Sequence, residues 1–436
     1  MPSCPGTLRR RPRRRRPPAE PKSQARRVPP TGDSHGVDSY TPARALGPVS
    51  RRLCFGSVDH VSTNRRGVTM SRIPALFTAA LGAALAVTAV VPAANAAPKP
   101  KVQAAADDLV ASGVPGVNIM MRRGGHVSYV TSGVSDKATG APMDHRLMFR
   151  AASLTKSFTS TVVLQLAAEH RLSLDDTVEK WLPGVVQGNG NDGSKITLRQ
   201  LLAQKTGLND YTRDPRLLQD PKRTWTKPEL IAMAMEQPPK YEPGEDWNYS
   251  NTNYILADMV VEKATGRTLG TELKRRIFNP LKLRHTSFPT SSRAFPGPYI
   301  HGYWGKYGDV STEVSPSSGR GSGGLISTVD DLARFHRALF TGRILPARQM
   351  RELTTTRPVM DEWIVEDYGL GVARTRFSCG YGWGHDGGFP GYRTWAYTSA
   401  DGRRQAVITY NETEGEEGNP AFQAKIKKAA ETAFCS

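Results

Sequence analysis

Apolar side chains fall on alternate residues near the start of the patterned part of the chain: Val117, Ile119 and Met121 precede Gly124-Gly125, and Val127 and Tyr129 follow it. A period of two on either side of paired glycines predicts a β-hairpin over 117–131. Near the other end, residues 392–399 and 404–411 flank Asp401-Gly402, a two-residue turn signal, and predict a second hairpin. Short helices are predicted outside both, over 101–112 and 420–434. The pattern between the hairpins is mainly helical, with Leu154, Phe158, Val162 and Leu166 recurring every four residues. Capping boxes are expected at Thr197 with Gln200 and at Ser327 with Asp330, and a helix stop at Gly266. Terminal strands around a helical insert predict an α+β fold: an antiparallel sheet flanked by the terminal helices, a mainly helical lobe beside it, and a site between the two.

No such periodicity runs from Met1 to Thr69, which is rich in Arg and Pro and cannot build a core. Met70-Ser71-Arg72, an apolar run from Ala75 to Val91, and Ala94-Asn95-Ala96 then read as a signal peptide over 70–96, cleaved after Ala96. A spanning helix would need about 20 apolar residues. Residues 1–69 are accordingly expected to be an upstream leader, disordered or not translated; the alternative is a nucleic-acid-binding arm. The folded domain is expected over 97–436, secreted and without a membrane span.

The charge balance changes with that boundary. Residues 1–69 hold 15 of the 59 Lys+Arg and 4 of the 40 Asp+Glu, and Arg72 lies in the signal peptide. The remainder carries 43 basic against 36 acidic residues, a net +7 in place of +19. This lends nucleic-acid binding no support and would suit an anionic cell-wall substrate. Of four cysteines, Cys4 and Cys54 lie in the leader, leaving Cys379 and Cys435. In an oxidising compartment an isolated pair predicts one disulfide, expected to restrain the mouth of the site just before His385; the alternative is two free thiols.

Three short segments carry candidate chemistry. Ser153-Leu154-Thr155-Lys156 opens the first long helical stretch, and no other serine in the chain has a lysine three residues on. That spacing puts both side chains on one helix face, where a partly neutral lysine could take the serine's proton; the alternative for Ser153 is an N-cap. Tyr249-Ser250-Asn251 is the sole Tyr-x-Asn, offering a hydroxyl to relay a proton and an amide to orient the lysine and a substrate carbonyl. A buried tyrosine and an N-capping asparagine are the alternative. His385-Asp386-Gly387-Gly388 is the sole His-x-Gly. There a cation or hydrogen-bond donor would face the site, Gly387 and Gly388 permit close approach, and the amides of Gly388 and Ser153 could form an oxyanion hole. A solvated turn is the alternative.

These three boxes, in this order, resemble those of the family containing class C β-lactamases and D-alanyl-D-alanine carboxypeptidases. The resemblance runs from Val102 to Cys435 and includes Phe149-Arg150, Leu174-Asp175-Asp176 and Gly323-Gly324-Leu325. It implies an acylated Ser153, Lys156 and Tyr249 as the proton-transfer pair, and Asn251 and Gly388 as substrate-binding groups. Histidine in the third box, and the paired cysteines, resemble the secreted peptidase branch rather than the β-lactamases, which carry lysine there. Asp386 departs from the peptidases' small hydroxyl residue and could repel a terminal carboxylate. Lys205-Thr206-Gly207 also spells the third box, but it lies between the first two. It is expected to end the helix begun at Thr197, with Gly207 as its left-handed cap.

Arg374 and Arg376 are candidates to clamp a substrate carboxylate, with a surface strand equally open. The nine histidines show no ligand spacing, so neither metal nor cofactor is expected. The reading is an exported serine hydrolase resembling D-Ala-D-Ala carboxypeptidases, with a peptidoglycan stem peptide, another small peptide or β-lactams as partners. An esterase or β-lactamase of the same fold is the near alternative, and a non-catalytic wall-peptide-binding protein the remote one.

Overall fold

A computed structural model of the chain describes residues 100–359, 367–413 and 419–436. The proposed leader, signal peptide and cleavage point lie outside these. The chain opens with helix α1 (Lys101–Ala111) and the predicted hairpin, β1 (Gly116–Arg123) and β2 (His126–Asp136). Strand β3 (Ala141–Pro142) follows, and then the chain leaves the sheet for α2 (Thr155–Ala168), α3 (Leu198–Leu202), α4 (Lys227–Met235), α5 (Thr252–Thr265) and α6 (Val329–Phe340). It returns through β4 (Arg357–Pro358), β5 (Asp367–Tyr368), β6 (Ala373–Phe377), β7 (Gly380–Phe389), β8 (Tyr392–Thr398) and β9 (Arg404–Tyr410), closing with α7 (Pro420–Cys435).

The nine strands make one sheet in the order β3-β2-β1-β9-β8-β7-β6-β5-β4, antiparallel throughout. The first and last long strands of the described region therefore lie side by side, with Ile119 of β1 facing Ile408 of β9. Because side chains alternate, Ile119, Trp395, Ile408 and Tyr410 pack under α1 and α7 with Leu109, Ala429 and Phe434, while Met120, Ala396 and Val407 join the larger core with α2, α5 and α6. Phe158, Val162 and Leu166 of α2 are all buried there. No described helix is long and apolar enough to cross a membrane.

Local signals hold with two corrections. The Thr197–Gln200 capping box forms, and Gly266 ends α5 in the left-handed conformation. The cap of α6, however, is Thr328, which accepts from the Asp331 amide, rather than Ser327. Phe149 and Ser327 pair as a short extended bridge, so the chain turns helical one residue later, and Ser327 bonds Thr286 instead. The second correction concerns Gly207. Helix α3 stops at Leu202 and the left-handed residue after it is Gln204 (φ 60°), so Gly207 does not cap that helix. Gly207 (φ 75°) is needed for another reason: a Cβ there would lie 2.1 Å from the Tyr241 carbonyl.

Candidate active site

Ser153 lies in a tight turn, Ala152–Leu154, that feeds α2, and the residue before it is held at a positive φ of 50°. An alanine in that region is strained by about 1–2 kcal/mol, a cost typical of segments that present a functional group. Ser153 is not the N-cap of α2, which has no side-chain cap; Thr155 instead ties the turn by bonding the Ala152 carbonyl and accepting from the Leu325 amide. Ser153 itself is half-buried, within reach of solvent.

One turn on, Lys156 is wholly buried, and its Nζ meets three oxygens: Ser153 Oγ at 3.1 Å, Asn251 Oδ1 at 2.7 Å and the Ser322 carbonyl at 2.9 Å. Burial lowers its pKa from 10.5 to about 7, against the opposing pull of Asp210 and Asp386. The geometry suits the neutral amine. Its two N–H groups go to the Asn251 and Ser322 oxygens, neither of which can donate, and its lone pair faces the Ser153 hydroxyl. The rings of Tyr249 and Tyr254 flank the nitrogen at 4.7 and 5.5 Å.

Asn251 occupies the N-cap position of α5 without capping it. Its amide is held by Asp210 at 3.0 Å, which fixes the side-chain oxygen toward Lys156. Gln204 buttresses the same segment by accepting from the Ser250 amide and Asn253. This is the structural use of the Gln204–Gly207 segment between the boxes. Tyr249 shares a hydrogen bond with Ser153, and burial with nearby Asp386 pushes its pKa well above 10, so its phenol stays protonated.

The third box is a strand, not a solvated turn. The pairing of β6 with β7 ends at Ala373–Gly384, so residues 385–389 pair only with β8 and their other edge is open toward Ser153. A Cβ on Gly387 would lie 2.6 Å from the Ala151 carbonyl, and one on Gly388 2.4 Å from Arg393 Nη1, so glycine lets β7 press on the Ser153 turn and leaves the Gly388 main chain exposed. Of the two roles expected for His385, a cation or a hydrogen-bond donor, it does not take that of the cation. Its Nδ1 donates to the Asp386 carbonyl at 2.5 Å, leaving Nε2 to accept from the Tyr368 hydroxyl at 3.1 Å. Burial first, and then Lys156, lower its pKa to about 3. The neutral ring stands 6.1 Å from that of Tyr249.

Two other expectations fail on register. Arg374 pairs with Trp383 and Arg376 with Tyr381, positions that run away from His385, so neither arginine joins Ser153. Arg374 is bonded to Asp367 at 2.5 Å and lies over the Tyr381 ring, and Arg376 is exposed. The arginine that does reach the box is Arg393, packed on Gly388. Cys379 and Cys435 are joined, with Cα atoms 5.6 Å apart, but at the head of β7. Six extended residues, about 20 Å, separate Cys379 from His385, so the link anchors α7 rather than the mouth of the site. Sequence reasoning passed over Tyr368, Tyr254, Asp210 and the Ser322 carbonyl, since none stands in a box; Asp210, three residues beyond the Lys205-Thr206-Gly207 decoy, and Ser322, beside Gly323-Gly324-Leu325, had nearby signals.

A profile of the family described as Beta-lactamase matches residues 102–430. Penicillin-binding protein 4* of Bacillus subtilis (strain 168) is 28% identical over 332 residues, 72% of this chain and 71% of that protein. Among solved structures, a D-stereospecific amidohydrolase from Streptomyces sp. is 40% identical with a TM-score of 0.70, over 77% of this chain and 98% of that one. The D-amino acid amidase of Ochrobactrum anthropi SV3, complexed with L-phenylalanine amide, is 25% identical with a TM-score of 0.70, over 76% of this chain and 96% of that one.

Proposed function

The chain belongs to the Beta-lactamase family of serine hydrolases, and from that premise we propose that it is an exported amide hydrolase that forms an acyl-enzyme on Ser153 with substrates carrying a D-configured acyl residue. The observation that carries the chemistry is the wholly buried Lys156, whose Nζ lies 3.1 Å from Ser153 Oγ and whose pKa burial lowers to about 7. In acylation Lys156 takes the Ser153 proton as Oγ attacks the amide carbon. The amides of Ser153 and Gly388 receive the oxyanion, and Tyr249 gives its proton to the leaving nitrogen and is reprotonated from Lys156. Water then attacks the ester with the proton path reversed, releasing the acid and free Ser153.

Support for the D-residue comes from the similarity to the Streptomyces D-stereospecific amidohydrolase and the Ochrobactrum D-amino acid amidase. A D-Ala-D-Ala carboxypeptidase is the second reading, favoured by histidine in the third box. Asp386 weighs against it: it lies near Lys156, and although burial raises its pKa, the opposing pull of Arg393 and Lys156 favours the carboxylate, a like charge to a leaving group ending in a free carboxylate. The test is to offer the secreted protein, from Ala97 onward, the amides of D- and L-phenylalanine, a peptide ending in D-Ala-D-Ala, and a penicillin. We expect a D over L preference of at least about 100-fold in kcat/KM, an ordinary range for stereochemical discrimination by a shaped pocket. Equal turnover of the two amides, with D-alanine released from the peptide, would replace the amidase reading with the carboxypeptidase.

The pH profile follows from the same lysine. The base form grows as pH rises through about 7, so kcat/KM should climb through one ionisation there and level off above it. His385, at about 3, contributes no second limb between pH 5 and 8. A limb that stays below pH 6 would remove Lys156 as the base.

A further inference from the structure

The two oxygens that take the Lys156 N–H groups come from segments far apart in the chain, Asn251 and Ser322. Asp210 fixes the first by holding the Asn251 amide. The second belongs to a tight turn, 319–324, in which Arg320 is held at a positive φ of 43°. The turn presses hard on α5: a Cβ on Gly321 would lie 2.6 Å from the Tyr254 carbonyl. Its other carbonyls are taken, Gly319 by Ser322 Oγ at 2.6 Å, Arg320 by the Gly324 amide at 2.8 Å and Gly321 by Thr159 Oγ1 of α2 at 2.8 Å. The Ser322 carbonyl is the one presented to Lys156.

The residue that grips this turn is Tyr211, next in sequence to Asp210. It is wholly buried, and burial keeps its phenol protonated. Its hydroxyl donates to the Ser318 carbonyl at 2.6 Å, at the entry to the turn, and lies 3.2 Å from Ser322 Oγ. Its own main-chain amide is tied to Thr252 Oγ1 at the start of α5 at 3.2 Å. Two adjacent residues on one short turn therefore hold both acceptors of the lysine, Asp210 through the Asn251 side chain and Tyr211 through the 318–322 main chain.

We infer that Tyr211 is a positioning residue for Lys156, acting through the Ser322 carbonyl. The inference rests on the reading of Lys156 as the base for Ser153. Burial is what depresses the lysine, and burial at Nζ requires that the Ser322 carbonyl stay against it rather than give place to water. Without the Tyr211 hydroxyl the turn loses its hold on Ser318 and Ser322, the carbonyl withdraws, and a water that enters can solvate the ammonium form. The lysine then keeps its proton to higher pH.

The test is Tyr211→Phe, which removes one oxygen and leaves the ring in the core. The Lys156 ¹³Cε signal of lysine-labelled protein, identified by its loss in Lys156→Met, is titrated in wild type and variant. A midpoint about one pH unit above that of wild type is expected. In parallel, hydrolysis of p-nitrophenyl acetate, which makes no demand on the acyl residue, should fall about fivefold in kcat/KM at pH 7 and return to within about twofold of wild type at pH 9, as the neutral amine is restored. Tyr392→Phe is the control, since its buried hydroxyl also donates to a carbonyl, that of Ile300 at 2.8 Å, away from Lys156; its lysine should titrate as in wild type. An unmoved or lowered midpoint in Tyr211→Phe, or an equal rise in Tyr392→Phe, overturns the inference and leaves the Ser153–Lys156 reading standing. A wild type that hydrolyses neither ester nor amide removes that reading instead, while the titration still decides whether Tyr211 sets the lysine.

Discussion

Turnover by Ser153→Ala is expected to fall by about 10⁴-fold or more, with no covalent adduct after incubation with a penicillin or a D-amino acid ester. The substitution removes one hydroxyl from a half-buried position, and its partners are Lys156 Nζ and the Tyr249 phenol, which lie close enough to share a water in its place. Melting should therefore stay within a few degrees of wild type, which separates loss of chemistry from loss of fold. The fall should appear in kcat rather than KM, because the interactions that hold a substrate, at Asn251 and the open edge of β7, are untouched. Full-rate turnover by the purified variant would move the nucleophile elsewhere.

Lys156→Met is expected to cost about 10³-fold or more in kcat/KM, since among the described residues no other base lies within hydrogen-bond reach of Ser153 Oγ except a tyrosine whose proton is held tightly. Its effect on stability should depend on pH. The folded pKa of about 7 lies below the unfolded value near 10.5, so between these the unfolded chain binds the extra proton. Wild type then gains about 1.4 kcal/mol per pH unit as pH rises through that window, and carries the whole penalty below pH 7. Methionine has no such term. Against that, the Asn251 and Ser322 oxygens lose their donor, at about 1–3 kcal/mol each. The melting difference, variant minus wild type, should thus be more favourable at pH 6 than at pH 9. A difference constant across that range would mean that Lys156 is not depressed in the folded state.

Much of the frame was legible before any coordinates. The two hairpins, the flanking helices and the Leu154–Leu166 stripe follow from short-range periodicity and turn chemistry, which the backbone expresses locally. Ser153 and Lys156 were legible as a pair for the same reason: one helical turn sets their separation. The misreadings share a different cause. Arg374 and Arg376 stand near the third box in the chain, but antiparallel pairing runs them away from it, and the disulfide beside them is displaced by the length of a straight strand. His385 was left open as a cation or a hydrogen-bond donor because a sequence shows an imidazole but neither its burial nor the carbonyl that takes its proton.

By itself, then, the sequence determined the elements, the α+β order and the three boxes, all of which rest on neighbours within a few residues. The tertiary structure alone decided the environment of each side chain in the boxes. The Lys156 pKa falls toward neutrality only where Asn251, 95 residues away, and the Ser322 carbonyl, 166 residues away, close around the buried amine. Tyr368 likewise meets His385 only across the sheet. Desolvation and convergence belong to packed segments rather than to any one of them, and burial lowers the pKa of this lysine from 10.5 to about 7 where spacing alone shifts nothing.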